Sequence, residues 1–161
     1  MPSFEQLHPV LTPHFRLEWL TKFPVKAIIH EFSLTPTAQT NLTIPNQPLE
    51  VVAFVNQTMR QVMAQQELTW GFAALDNPSF LGFISIQNPH EEVTDISFWY
   101  TDISTAAFSE IFSRTVTFIT DHFETKIIQV KLNTVNLELS NIFKQTGFTS
   151  PDELTWQLQV H

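Results

Sequence analysis

The sequence contains no cysteine, which excludes disulfides and thiolate metal sites. Basic residues are also scarce: eight Lys and Arg stand against 16 Asp and Glu, which gives a formal net charge of −8 at pH 7. This balance argues against broad binding to nucleic acid or anionic membrane, because both need clustered cations. No apolar run approaches the ~20 residues that span a bilayer, and the first residues do not resemble a secretory signal. We therefore expect a cytoplasmic protein.

Glycine is nearly absent, with Gly71, Gly82 and Gly147 the three in the chain, and Tyr100 is the single tyrosine. Six histidines are present, but no two lie at metal-ligand spacing on one predicted element, so we expect no metal site. Phenylalanine is abundant, with 15 residues, and 43% of the chain is hydrophobic. A chain of 161 residues with this composition fits one domain, residues 1–161, around a sizeable core.

The four basic residues of the C-terminal half lie close together in sequence. They are Arg114, Lys126, Lys131 and Lys144. This grouping is compatible with ordinary surface charge or with a site for one phosphorylated ligand.

The hydrophobic periodicity alternates between the strand and the helix period. It predicts, in order, a strand over 15–19, helices opened by Pro24 and by Pro48, strands over 69–75, 80–87 and 93–100, a long helix over 108–123, a strand over 126–133, a helix from Asn136 to Gly147, and a strand over 154–160. The segment Ser33–Pro48 is rich in Thr, Pro, Asn and Gln, which predicts a long loop. The order predicts an α+β, or mixed α/β, chain around one sheet.

Capping residues mark the ends of two of these helices. Ser104 or Thr105 is placed to cap the long helix, and Asn136 to cap the last one. Gly147 followed by Phe148 is typical of a left-handed C-cap with a hydrophobic contact behind it.

Four strings occur in an order that resembles a known family. They are Leu81–Ile86, Asp95–Tyr100, Ile128–Leu132 leading to Asn136, and the spacing from Asn136 to Gly147-Phe148. This set resembles the GNAT superfamily of acyl-CoA-dependent N-acyltransferases, and in particular the branch that acetylates ribosomal-protein N-termini. The resemblance covers residues 68–149. It implies a mostly antiparallel central sheet with a splayed fourth strand and flanking helices.

The resemblance implies transfer of an acetyl group from acetyl-CoA to a primary amine by direct attack, without a metal. The amine belongs either to a small molecule or to a protein N-terminus or lysine. Removing a proton from an amine of pKa ~10.4 costs ~4–5 kcal/mol at pH 7, and a carboxylate can accept that proton. Asp95 takes the position of the strand acid and is the implied catalytic base, with Glu67 and Glu92 as alternatives. A structural role as a solvent-facing or loop-bonded strand residue is the competing interpretation of Asp95.

The resemblance also implies which residues bind the donor. Backbone groups of the splayed strand would line the CoA cleft and stabilise the oxyanion. Free N–H groups at the start of the long helix would hold the pyrophosphate. The cofactor-binding candidates are Phe98, Trp99, Tyr100, Ser104, Thr105, Ala106, Ala107, Phe108, Asn136 and Phe143.

Several positions depart from the family's pattern. The stretch 101–110, which corresponds to a glycine-rich phosphate loop, has no glycine and no basic residue. Phe143 stands where the family often has a proton-donating Tyr, and Leu139 where some members have a Ser. The alternative is therefore a catalytically degenerate GNAT-fold protein that acts as a binding or oligomerisation module. One strand fits after Phe148 where the family usually has two, so an exposed sheet edge, and with it a homodimer, is expected.

Overall fold

A computed structural model describes residues 3–160. One eight-stranded sheet carries four α-helices and two short 3-10 helices, Phe4–Gln6 and Leu20–Lys22. The strands are β1 (Val10–Leu11), β2 (Phe15–Trp19), β3 (Ala38–Gln39), β4 (Glu67–Ala74), β5 (Asn77–Gln87), β6 (Val93–Tyr100), β7 (Ile127–Lys131) and β8 (Thr155–Gln159). The helices are α1 (Val25–Phe32), α2 (Pro48–Met63), α3 (Thr105–His122) and α4 (Leu137–Gln145).

The strand order across the sheet is β1-β2-β4-β5-β6-β7-β8, with β3 paired to β6. Every described pair is antiparallel except β6 with β7, which run parallel. The predicted order of the longer elements and the mostly antiparallel sheet are confirmed, whereas the two-residue strand β1 was not predicted. The prediction of a loop over Ser33–Pro48 is wrong in part, because β3 lies inside it. Two residues are too few to produce a periodic signal, and β3 exists because a free strand edge of β6 lies beside it.

The sheet separates two apolar cores, as the alternation of side chains along β6 illustrates. Phe98 and Tyr100 belong to the larger core under α3 and α4, whereas Trp99 belongs to the smaller core under α1 and α2. Successive side chains of a strand point to opposite faces, so the central strands β4, β5 and β6 contribute to both cores. The fifteen phenylalanines are used mostly in these two layers, and the face under α1 and α2 carries the cavities described below.

The helix ends agree with their sequence signals. Ser104 Oγ accepts a hydrogen bond from the Ala107 N–H at 3.1 Å, and Asn136 Oδ1 accepts one from the Leu139 N–H at 3.0 Å. Gly147 has φ +98°, the left-handed geometry that favours glycine at a helix C-cap. No helix among residues 3–160 is long and apolar enough to cross a membrane.

Candidate functional site

The strands β6 and β7 diverge after three paired positions. Val93, Thr94 and Asp95 pair with residues 127–129, whereas β6 stays paired with β5 as far as Tyr100. Beyond Asp95 the edge of β6 that faces β7 therefore lacks a β7 partner. β6 is the fourth of the strands predicted from the sequence, and its divergence from β7 is the predicted splay. The divergence places Asp95 at the vertex of a V-shaped cleft.

The cleft is filled by the chain itself. Residues 37–41, which we call the strap, run along the free edge of β6 in an antiparallel sense. The Thr37 N–H donates to the Tyr100 carbonyl at 2.8 Å, and the Asn41 N–H donates to the Lys131 carbonyl at 2.8 Å. The strap thus contacts both arms of the V.

Thr40 bonds to β6 through both its backbone and its side chain. Its N–H donates to the Phe98 carbonyl at 3.0 Å, and its hydroxyl Oγ1 accepts a hydrogen bond from the Phe98 N–H at 3.0 Å. Thr40 is buried, with 2% of its surface exposed. One residue of the strap therefore satisfies both the N–H and the carbonyl of Phe98 that face the cleft. This pairing matters because an unpaired buried N–H is costly.

The side chains of the three predicted β6 residues are core residues. The rings of Phe98 and Tyr100 lie 4.6 and 4.3 Å from the ring of Phe108, measured between centroids. Trp99 packs against Phe32 on the opposite face at 5.0 Å. Only the backbone of these residues faces the cleft, as the resemblance implies.

The start of α3 is the second part of the predicted donor site. Ser104 uses its side chain to cap the helix, so the Ala107 N–H is already bonded. Thr105 Oγ1 donates to the carboxylate of Glu138 at 2.8 Å. That carboxylate therefore lies at the helix N-terminus, where the macrodipole favours a negative charge. Ala106 and Phe108 follow within the first turn, and Phe108 is fully buried.

Asn136 and Phe143 have structural surroundings. Asn136 caps α4, and Phe143 is fully buried beside Phe112, Phe148 and Trp156. The ring of Phe143 is part of the larger core rather than of a cavity wall.

A band of polar side chains crosses the face of the sheet on the α2 side. Two cross-strand rows form it: Thr69–Ser85–Ser97, and Glu67–Gln87–Asp95–Gln129–Gln157. The hydroxyls of Thr69 and Ser85 lie 2.8 Å apart. The neighbouring row, Gly71–Phe83–Trp99, belongs to the apolar part under the helices. The face therefore changes from apolar to polar within one residue row. The alternation of polar residues along these strands is visible in the sequence, although only Asp95 and Glu67 of the band are predicted site residues.

Asp95 is held in place by amides. Its two carboxylate oxygens accept hydrogen bonds from Gln129 Nε2 at 3.0 Å and Asn88 Nδ2 at 3.3 Å, and Gln157 Nε2 donates in turn to Gln129 at 2.7 Å. Asp95 also lines a cavity of about 230 Å³ at the vertex of the cleft, together with Asn41 of the strap and Lys131. The carboxylate is thus both oriented and accessible.

A second cavity of about 170 Å³ lies between α2 and the polar band. Glu67 and Thr69 line it from the sheet, and Gln57 and Gln61 line it from α2. It shares the lining residues Gln87 and Ser97 with the vertex cavity, so the two cavities are neighbours. Burial raises the pKa of Glu67, because removal from water disfavours the charged carboxylate. Glu67 lies two strands from Asp95 in the same row, about 10 Å away at ~4.8 Å per strand.

The remaining charged candidates are dispersed. Lys126 pairs with Glu92 at 3.0 Å on the surface, and Arg114 donates from Nε to the Leu11 carbonyl at 3.3 Å. Lys131 alone among the four grouped basic residues lines the vertex cavity. Among residues 3–160, no three His, Asp or Glu side chains are grouped so as to hold a metal ion.

No family model matches the sequence, and no curated protein matches it either. Solved structures do match in fold. The chain is similar to the ribosomal L7/L12 α-N-protein acetyltransferase RimL in complex with coenzyme A, with 9% identity, a TM-score of 0.72, and 95% of this chain and 98% of that chain covered. It is similar to the ribosomal-protein-S5-alanine acetyltransferase of Vibrio fischeri, with 7% identity, a TM-score of 0.72, and coverage of 94% and 96%.

A third similar structure is an acetyltransferase of the GNAT family from Bacillus anthracis, with 12% identity, a TM-score of 0.63, and coverage of 94% and 98%. These similarities span nearly the full length of each chain at low identity. The chain therefore has the fold of the GNAT acetyltransferases, including those that act on ribosomal proteins.

Proposed function

We propose that the protein is an N-acyltransferase that transfers an acetyl group from acetyl-CoA to a primary amine. The observation that carries the proposal is the divergence of β6 from β7 directly beyond Asp95. It produces a cleft with an oriented carboxylate at its vertex and a second cavity beside it.

The chemistry assigns one task to each part of this site. The amine nitrogen attacks the thioester carbonyl, and Asp95 accepts the proton that the amine loses, directly or through a water. The Phe98 N–H is the backbone donor placed to stabilise the oxyanion that develops. The carbon–sulfur bond then breaks, and the thiolate takes its proton from solvent, because Phe143 has no proton to give.

The acceptor enters from the cavity under α2. Its walls combine apolar side chains, among them Phe54 and Phe83, with the carboxyl group of Glu67 and with hydroxyl and amide groups that donate and accept hydrogen bonds. This lining fits an amine that carries further hydrogen-bonding groups, and the acidic chain favours a cationic one. The expected cytoplasmic location and homodimer stay predictions.

A second candidate function is binding without turnover. It is favoured because groups of the chain itself occupy both halves of the implied donor site: the strap lies along β6, and Glu138 lies at the start of α3. A protein in which these groups never leave would keep the acceptor cavity and lose the chemistry.

Two measurements separate these functions. Calorimetry with acetyl-CoA tests donor binding, and release of free thiol over an amine panel tests turnover. The protein has no cysteine, so a thiol reagent reports product without background from the enzyme.

The variant D95N removes the proposed base while it retains a similar shape. We expect its turnover to fall by about 10²- to 10⁴-fold. D121N makes the same chemical change on the exposed surface of α3 and is the matched control. Equal turnover in D95N and D121N would refute the role of Asp95. Donor binding without thiol release for any amine would favour the second function.

A further inference from the structure

The strap occupies the strand edge along which an acyl-CoA donor would have to bind. Its backbone and side-chain hydrogen bonds to the cleft include those with Phe98, Tyr100 and Lys131. β5 already fills the other edge of β6 as far as Tyr100, so the cleft edge is the free one. An acyl-CoA donor and the strap cannot both form hydrogen bonds to the same peptide groups of Phe98.

We propose that residues 37–41 act as a gate, which must leave the β6 edge before the donor binds. The proposal rests on the proposed function, since it concerns access to that same site. In the closed state, with the strap on the β6 edge, Thr40 provides one acceptor for the Phe98 N–H and one donor for the Phe98 carbonyl. In the open state, with the strap away from that edge, a bound ligand would provide both.

The construction of the strap suits such a role. It is attached to β6 through a two-residue ladder rather than a full strand, and Pro36 and Pro45 flank it in the surrounding irregular segment. Segments held by few bonds open locally at a small fraction of the free energy of global unfolding. The residues that follow the strap, Leu42 and Thr43, line the acceptor cavity, so movement of the strap also alters that cavity.

Only molecules with an open gate bind the donor, so the apparent affinity is the intrinsic affinity multiplied by the fraction of molecules in which the gate is open. Thr40→Val removes the hydroxyl and leaves the Phe98 N–H without a partner in the closed state. The closed state loses stability, and the donor-bound state does not. We expect acetyl-CoA to bind T40V about fivefold more tightly or better than the parent, since an unpaired buried N–H costs at least ~1 kcal/mol.

Thr35→Val is the matched control, because it makes the same chemical change at an exposed residue outside the strap that lines neither cavity and makes no side-chain hydrogen bond among residues 3–160. Affinity is measured by calorimetry, and thermal unfolding confirms that each variant is folded. Hydrogen exchange supplies the second readout. On addition of acetyl-CoA, the Thr40 and Asn41 amides should lose protection, while the Phe98 amide stays protected because the ligand replaces Thr40.

The outcomes are distinguishable. If the parent, T40V and T35V bind acetyl-CoA equally, or if Thr40 and Asn41 stay protected in the complex, the gate is refuted and the acyltransferase proposal stands. If neither the parent nor T40V binds acetyl-CoA, the donor proposal fails and the gate fails with it; the strap is then a permanent strand of the sheet.

Discussion

Gly82 lies in β5, directly opposite Tyr100 of β6. A Cβ atom at this position would lie 2.3 Å from the Trp99 carbonyl oxygen and 2.6 and 2.7 Å from Cβ and Cα of Tyr100. These atoms belong to the backbone of β6 or are fixed to it, so they cannot move aside without displacing the strand. Overpacking of this kind costs ~1–3 kcal/mol, and we expect G82A to reach the upper end, about 3 kcal/mol.

Gly71→Ala is the matched control. There the added Cβ would meet side-chain atoms, at 2.7 Å from Phe23 Cε2 and 3.0 Å from Leu20 Cδ2 and Phe80 Cε1. Side chains adjust by rotation, so we expect a smaller loss of about 1 kcal/mol. For a chain of this length, ~1 kcal/mol corresponds to ~2–4 °C in Tm, which calorimetry or urea unfolding resolves. A loss in G82A no greater than that in G71A would refute the assignment of a rigid contact to β6.

Two further predictions concern charge. The variant Glu138→Gln should bind acetyl-CoA about threefold more tightly at low salt, because one unit charge ~6 Å from a phosphate in water costs ~0.7 kcal/mol. The gain should vanish at ~1 M salt, where the Debye length is ~3 Å. The variant Glu124→Gln, at an exposed position, is the control. Calorimetry at two ionic strengths measures it, and a gain independent of salt would contradict it. Burial raises the pKa of Glu67 in the folded protein. Glu67 therefore contributes stability that is fully present below its pKa in the unfolded chain and is lost as the pH rises through its pKa in the folded protein. Glu67→Gln should therefore raise the Tm at pH 8 and leave it unchanged near pH 4, and a gain of equal size at both values would contradict the burial effect.

Local signals in the sequence determined much of the fold. The hydrophobic periods predicted the order of the main strands and helices, because a buried face requires apolar residues at the spacing of its element. Ser104, Asn136 and Gly147 marked helix ends, because capping depends on one residue and its immediate backbone. The strand string that begins at Asp95 also led to the vertex of the cleft, since the string lies within β6.

Other features depend on contacts that no local pattern records. Thr40 and Phe98 are 58 residues apart in sequence, and Thr105 and Glu138 are 33 apart. The polar band needs the register of five strands, although each polar residue is visible in its own strand. The two charges that define the candidate site, Asp95 and Glu67, become members of one row only through that register.

The sequence alone therefore determined the order of the longer helices and strands, because propensity, periodicity and capping act over a few residues. Only the tertiary structure decided that the strap fills the cleft and that Glu138 reaches the start of α3. The physical reason is that a free strand edge and a helix N-terminus accept any suitable donor or carboxylate, and the fold determines which one lies within reach.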